Sequence, residues 1–397
     1  MIPNLHFHLQ RFIFGALLLS LMLLTCAPAH ATNYSFSAAA PNLPPTCSGS
    51  NSTYVCTEVT LASGDTITIV GTINITINSN LTVGSMSQIN IGGSSSNLNF
   101  FVGGLTYIGA GSSVVANINS IGVITTGANL TFVGNLKTLN AAINVGDDSY
   151  LTGYVTTSQS GVINIGSRTV VTGNLTSNVG AINVGRNSTV GSVTTKNAGA
   201  VTIGDYSVIT GNLTSGIGAV VIGDHTMVKG DLSTQIGAIT IGDFAFVGGL
   251  VNNSDGSTAG AVVIGDNSVV VGAILAGAGA ITTGTNTKAI GVSTIDGAIT
   301  LGDGSLVGGS ICSGNSGAIT VGANSQIAGN VMTLVAGAIT VGVNSAIAGA
   351  VAAAGAMTIA AGTTVGPAMN ASKCAKVYPP SIPIGIKTRE WRQIYMR

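Results

Sequence analysis

Four aspartates recur at nearly even spacing, Asp205, Asp224, Asp243 and Asp266, each directly after a glycine, and Asp147 and Asp303 stand in the same relation further off. Carboxylates stacked one strand spacing apart, about 5 Å, repel by on the order of 1 kcal/mol even in water. A shared divalent cation would remove that cost, so the row is a weak Ca²⁺ candidate. Against it, Gly-Asp is a turn-forming pair, and neighbouring repeats carry Arg186, Thr285, Ala323 or Val343 at the same place. His225 follows Asp224, and Lys229 and Asp231 lie close by. A histidine base needs a partner within hydrogen-bonding reach and a cleft that tunes its proton affinity. His225, alone in its turn, has neither, because the repeats are almost free of inserted loops and the longest insertion is Asn252–Ala259. The expectation is a chain that is not an enzyme, with no catalytic residues and no cofactor.

The aspartates belong to a line of the type Gly-Ala-Ile-Thr-Ile-Gly-Asp, legible at Gly199–Asp205, Gly218–Asp224 and Gly237–Asp243, that returns about every nineteen residues. With the second glycine as landmark (Gly146, Gly166, Gly185, Gly204 and onward to Gly342), the residue three before it is always Ile or Val, and the residue one before it is almost always Ile, Val or Leu. These columns have period two and mark one side of a strand. A second apolar column follows five residues after the landmark (Ile209, Val228, Val247), and a glycine stands two residues later in nearly every repeat. Glycine corners and β-branched residues are poor helix formers. Each repeat is too small to bury its own apolar residues, so stacked copies must build the core. The fold expected is all-β: a single-stranded parallel β-helix, a solenoid of three sides with about six residues per side.

Around this body the chain divides into five parts. Residues 1–31 read as a signal peptide, with Arg11 before an apolar run and Ala29-His30-Ala31 as the cleavage site. Leu23-Leu24-Thr25-Cys26 offers a lipoprotein-type alternative that the threonine fits poorly. Residues 32–56, with Pro41, Pro44 and Pro45, suit an N-terminal cap; 57–140 read as irregular opening coils, 141–366 as the regular β-helix, and 367–397 as a basic tail. No segment after the signal is long and apolar enough to span a membrane. The chain is expected to be exported, to the periplasm, the outer surface or the medium.

Removing the signal leaves Cys47, Cys56, Cys312 and Cys374, an even number that suits an oxidising compartment. Cys47–Cys56 would close a local loop, and Cys312–Cys374 would tie the tail to the body. Six of the thirteen Lys and Arg lie in the last twenty-five residues, while the body carries no basic stripe for nucleic acid.

The outward side of the Ile-Thr-Ile strand holds small uncharged groups: Ala four residues before the landmark, and Thr240, Thr282, Thr300, Thr320 and Thr340 two before it, with Asn144, Asn164 and Asn183 earlier. Such a flat face could match an ice lattice, pack on another sheet, or simply satisfy β propensity. The repeat Gly317–Gly329, the opening Asn42-Leu43-Pro44-Pro45-Thr46-Cys47 with Tyr54-Val55-Cys56, and the terminal Trp391-Arg392-Gln393 resemble the secreted N-terminal regions of proteobacterial proteins associated with mannose-sensitive haemagglutinin pilus biogenesis, a type IV pilus system. The coils, such as Ile222–Leu232, are also similar to bactofilins, polymer-forming cytoskeletal β-helices. The resemblances imply a structural or adhesion rod of the bacterial surface whose partners are copies of itself, end to end, or pilus and envelope proteins. The alternatives are an ice- or surface-binding protein using the Ala/Thr face and a bactofilin-like scaffold.

Overall fold

The computed structural model describes residues 31–37, 41–253 and 260–367. The expected signal up to residue 30, most of the insertion at Asn252–Ala259, and the tail beyond Pro367 lie outside the described residues.

The chain is an all-β solenoid of about 16 turns at roughly 19 residues per coil, bounded by three parallel sheets. One coil shows the plan. Val220–Ile222 lies on the first face, Met227–Val228 on the second and Leu232–Ile236 on the third. The next coil repeats each strand in register, Val220 beside Ile239, Met227 beside Phe246, and Leu232 beside Val251. The sides are unequal. First-face strands have three residues, whereas third-face strands reach six, as at Val193–Ala198.

The apolar columns point inward along the whole length. Ile239, Ile241, Val247 and Val251 are all buried, as are their counterparts in neighbouring coils. Burial of each such side chain contributes roughly 1.5–3 kcal/mol. Two further inward columns are polar. Ser207 Oγ donates to the Gly185 carbonyl at 3.0 Å and accepts the Ser188 N–H at 3.2 Å, while Thr195 Oγ1 donates to the Gly199 carbonyl at 3.1 Å. These hydroxyls satisfy main-chain groups where the strands break at corners, so burying them leaves no open hydrogen bond. Asn253 replaces the hydroxyl at the base of the insertion, its Nδ2 donating to both Gly237 and Gly260 carbonyls at 2.8 and 2.5 Å.

The corner before the first face needs glycine. Gly199 has φ +143°, and a Cβ there would collide with the Gly180 carbonyl of the coil beneath.

The N-terminal end is covered on two of its three faces. Asn33–Phe36 adds a strand to the second face beside Thr66–Ile69, and Thr53–Cys56 adds one to the third face beside Ile73–Ile77. Residues 32–56 are thus a partial first coil as well as a cover. Cys47–Ser50 folds back antiparallel on Thr53–Cys56, and Asn42 exchanges backbone hydrogen bonds with Ser35 at 2.8 and 2.9 Å, so the outer edges of the third and second faces are occupied, whereas Val59–Leu61 ends the first face with no described strand beyond it. Within, Phe36 and Tyr54 are fully buried edge to face at 5.0 Å, and Tyr54 Oη donates to the Ser37 carbonyl at 2.8 Å. The disulfide Cys47–Cys56, expected from the sequence, closes the hairpin at 2.03 Å. At the other end, Met357, Ile359 and Val365 are exposed, although they continue the buried columns of Ile339, Val341 and Ile347.

In a stack of nearest-neighbour contacts, damage at one end stays local. Tyr54→Ala, which removes the plug, is expected to speed amide hydrogen exchange in Val59–Ile77 by about tenfold or more while Ile319–Ile347 keeps its protection; a uniform rise along the rod would show a single cooperative unit instead.

Candidate functional site

The structure aligns the aspartate row and gives each carboxylate a main-chain partner. Asp205 Oδ1 accepts the Asp224 N–H at 3.1 Å, Asp224 Oδ1 that of Asp243 at 2.9 Å, Asp243 Oδ1 that of Asp266 at 2.7 Å, and Asp266 Oδ1 that of Thr285 at 2.6 Å. Asp147 and Asp303 do the same for Ser167 and Ala323 at 2.8 and 2.7 Å. The arrangement accounts for the Gly-Asp pair: a Cβ on Gly223, Gly242, Gly265 or Gly284 would overlap the Oδ1 of the aspartate one coil earlier. One oxygen of each carboxylate is therefore committed to the corner. Among the described residues, no three His, Cys, Asp or Glu side chains gather as a metal site.

One residue further on, the chain enters the left-handed region. Asn187, Tyr206, His225, Phe244, Asn267 and Asn286 all have φ between 53° and 58°. Asn tolerates this conformation; a bulky side chain pays on the order of 1–2 kcal/mol for it. Tyr206, His225 and Phe244 recover a comparable amount by stacking, with ring centroids 4.7 and 4.9 Å apart and planes within 16°. His225, expected to sit alone in its turn, is the middle ring of an exposed three-ring ladder. At the same corner position two coils earlier, Arg168 is bidentate to Asp148, Nε to Oδ1 at 2.6 Å and Nη2 to Oδ2 at 2.7 Å. Arg186 Nε reaches Asp205 Oδ2 at 3.4 Å. Asp231 lies elsewhere, at the following corner, where its Oδ1 accepts the Leu250 N–H at 2.8 Å.

The expected binding face is the outward side of the first-face sheet. Thr282, Thr300, Thr320 and Thr340 stand in direct register, the column continues to Thr358, and Val263 separates it from Thr240. In the earlier coils Asn183 Nδ2 donates to Asn164 Oδ1 at 2.8 Å, and Asn164 Nδ2 to Asn144 Oδ1 at 2.7 Å. The full outward column reads Thr60, Thr82, Tyr107, Thr125, three Asn, then Thr with two Val: sixteen strands without one charged side chain. The second and third faces carry Lys229, Lys288, Lys137 and Lys196.

A shallow groove of about 470 Å³ in the opening coils was not anticipated; Phe101, Ile121 and Leu139 border it, and Lys137 is its one ionisable side chain. Its signal was faint, three apolar residues at outward positions of a less regular repeat. Cys312 is buried and disulfide-bonded, and its expected partner Cys374 lies outside the described residues. No helix among the described residues is long and apolar enough to cross a membrane. Comparisons with protein-family models, curated proteins and solved structures find no match to the chain.

Because the corner needs an acceptor and not a charge, Asp224→Asn is expected to leave stability within about 0.5 kcal/mol, whereas Asp224→Ala loses about 1 kcal/mol. Thermal unfolding with and without added calcium checks this, and a calcium-dependent rise in Tm that Asp224→Asn abolishes would make the row a cation site.

The hydrogen bonds from Arg168 hold the Asp148 carboxyl below its ordinary range; desolvation opposes this and charge attraction adds to it. The carboxylate in turn raises Arg168. Since the folded value is the depressed one, the pair's support is complete above the unfolded value of about 3.9 and is lost as pH falls through the folded one. An NMR titration of Asp148 should show this low value, with Arg168→Gln moving it back toward about 3.9; no movement would mean that the pair does not form in solution.

Proposed function

We propose that the chain is an exported, non-enzymatic rod of the bacterial cell surface, of the structural or adhesion type associated with type IV pilus biogenesis, and that it works through its first face. The observation that carries this reading is the charge-free outward column. Fifteen strand-to-strand steps of about 4.8 Å make it roughly 70 Å long. A flat strip lacking any charge is what a protein-contact core favours, since charged residues are depleted there. The leader-like N-terminus and the Cys47–Cys56 bridge support export. The resemblance of the two ends to pilus-biogenesis proteins supports the pathway. End-to-end polymers of the bactofilin kind draw less support, because Cys47–Ser50 and Asn42 occupy two of the three N-terminal edges that an incoming copy would have to pair with.

The unbroken threonine run Thr282, Thr300, Thr320, Thr340 and Thr358 favours a second reading, attachment to an ordered surface such as ice.

Three lysines placed on the strip, Thr240→Lys, Thr300→Lys and Thr340→Lys together, separate these readings. Under the adhesion reading, the purified variant keeps its β-sheet circular dichroism and loses about tenfold or more in binding to the parent cell envelope, the size expected from desolvating unpaired charges. Unchanged binding, or a native chain found in the cytoplasm with its leader intact, would overturn it. Thermal hysteresis in the parent that the lysines abolish would establish the ice-binding reading.

A further inference from the structure

On the third face of the opening coils two outward columns run side by side and behave differently. The first is closed on itself: Asn99 Nδ2 donates to Asn74 Oδ1 at 3.1 Å, Asn117 Nδ2 to Asn99 Oδ1 at 3.1 Å, and Asn135 Nδ2 to Asn117 Oδ1 at 3.0 Å. Two residues further along each strand stand Thr76, Phe101, Asn119 and Lys137, in direct register. They form one wall of the groove of about 470 Å³, and Asn78, Gly103, Ile121 and Leu139 form the other. Among the described residues, the side chains of Thr76, Asn78, Asn119 and Lys137 take no hydrogen-bond or ion-pair partner. Phe101, Ile121 and Leu139 are 45%, 64% and 43% exposed.

Each feature of the groove narrows what fills it. Exposed apolar side chains gathered in one trough mark a contact site. Lys137 is the one charged residue between Asp65 and Asp147, and no carboxylate lines the groove, so the charge it complements is an anion from outside the chain. Polar and apolar side chains alternate along the walls. A fatty acyl chain laid there would cover Asn78 and Asn119 and leave their amides unpaired. A pyranose ring suits both kinds, with hydroxyls for the amides and Thr76 and a C–H side for the Phe101 ring. Three residues from each of four successive coils line the groove, so it follows the rod for roughly 14 Å, three strand spacings of about 4.8 Å. That length suits several linked sugars better than one terminal unit.

We propose that this groove binds a linear acidic glycan, a polyuronate, laid along the axis of the rod. The Lys137 ammonium pairs with a uronate carboxylate, Phe101 two coils away stacks on the apolar side of another ring, and Asn78, Asn119 and Thr76 take hydroxyls. The site gives the opening coils a role that the regular repeat does not share. At the position of Phe101, Asn119 and Lys137 the following coils carry only Thr156, Thr176, Thr194 and Thr214. Because the groove lies on the third face, it does not depend on what the uncharged first-face strip contacts.

Titration calorimetry of the full chain with tetragalacturonate at low salt reads the site. The parent should bind with a Kd of about 1 mM or tighter. Lys137→Gln and Phe101→Ala should each weaken binding about tenfold and leave the β-sheet circular dichroism unchanged, since both side chains are exposed. The carboxyl-reduced tetrasaccharide should bind the parent about tenfold more weakly and be indifferent to Lys137→Gln, which isolates the charge pair from general packing. Added salt should weaken the acidic ligand alone. Equal binding of the uronate by parent and Lys137→Gln, or no measurable binding, would overturn the proposal. So would tighter binding of sialyllactose, whose carboxylate sits on a terminal sugar, or of dodecanoate, whose carboxylate sits on an acyl chain.

Discussion

Every residue in the regular part of this rod lies over a copy of its own position one strand spacing away. Backbone hydrogen bonds between coils impose that stacking, and the side chains must then accept it. An inward position must be apolar, as at Ile203, Ile222, Ile241 and Ile264, or carry a hydroxyl with a main-chain partner, as at Ser207 and Thr195, because an unpaired polar group would face its neighbours with nowhere to bond. Thr283, next in the Ile264 column, departs from this, its Oγ1 buried without a hydrogen-bond partner. A corner glycine is required wherever an atom of the copy beneath already fills the space of a Cβ. Like charges stack only when each has a second obligation, and the aspartates meet that condition by each taking a main-chain N–H of the following coil.

The same constraint explains how much was legible beforehand. Period-two apolar columns and corner glycines need no tertiary knowledge to read, so the parallel three-sided solenoid and the threonine column followed from alignment of the repeats. The buried hydroxyl columns were visible only as frequent Ser and Thr after the corner, since composition alone makes a residue such as Ser207 look like surface. The left-handed corner unites Asn, Asp, Arg, Tyr, His and Phe, types with no common propensity, and so the Tyr206–His225–Phe244 ladder was hidden. The first coil was harder still. Phe36 and Tyr54 belong to no repeat, and their contact joins strands of two different faces.

Three faces built by one repeat have come to differ. The short first face is uncharged throughout, the second begins beside the aspartates and the ring ladder, and the long third face carries lysines and, near its end, the buried Cys312. The two ends differ as well, one covered on two of its three faces and filled by an aromatic plug, the other ending in strands whose core residues remain exposed. Position around and along the rod, more than any cluster of reactive groups, is where this chain carries information.

The orientation of the hydrogen bonds has a mechanical side. Those between coils lie along the rod's long axis, and so do the carboxylate-to-amide bonds of the aspartate row. Tension along the rod would therefore load each interface in turn and open the weakest first. Bending would stretch one face and compress another, and the rod would be stiffest where the ring stack and the bidentate Arg168–Asp148 pair add links between successive coils. Under a pull, the stacked corner would act as a seam along one edge of the rod.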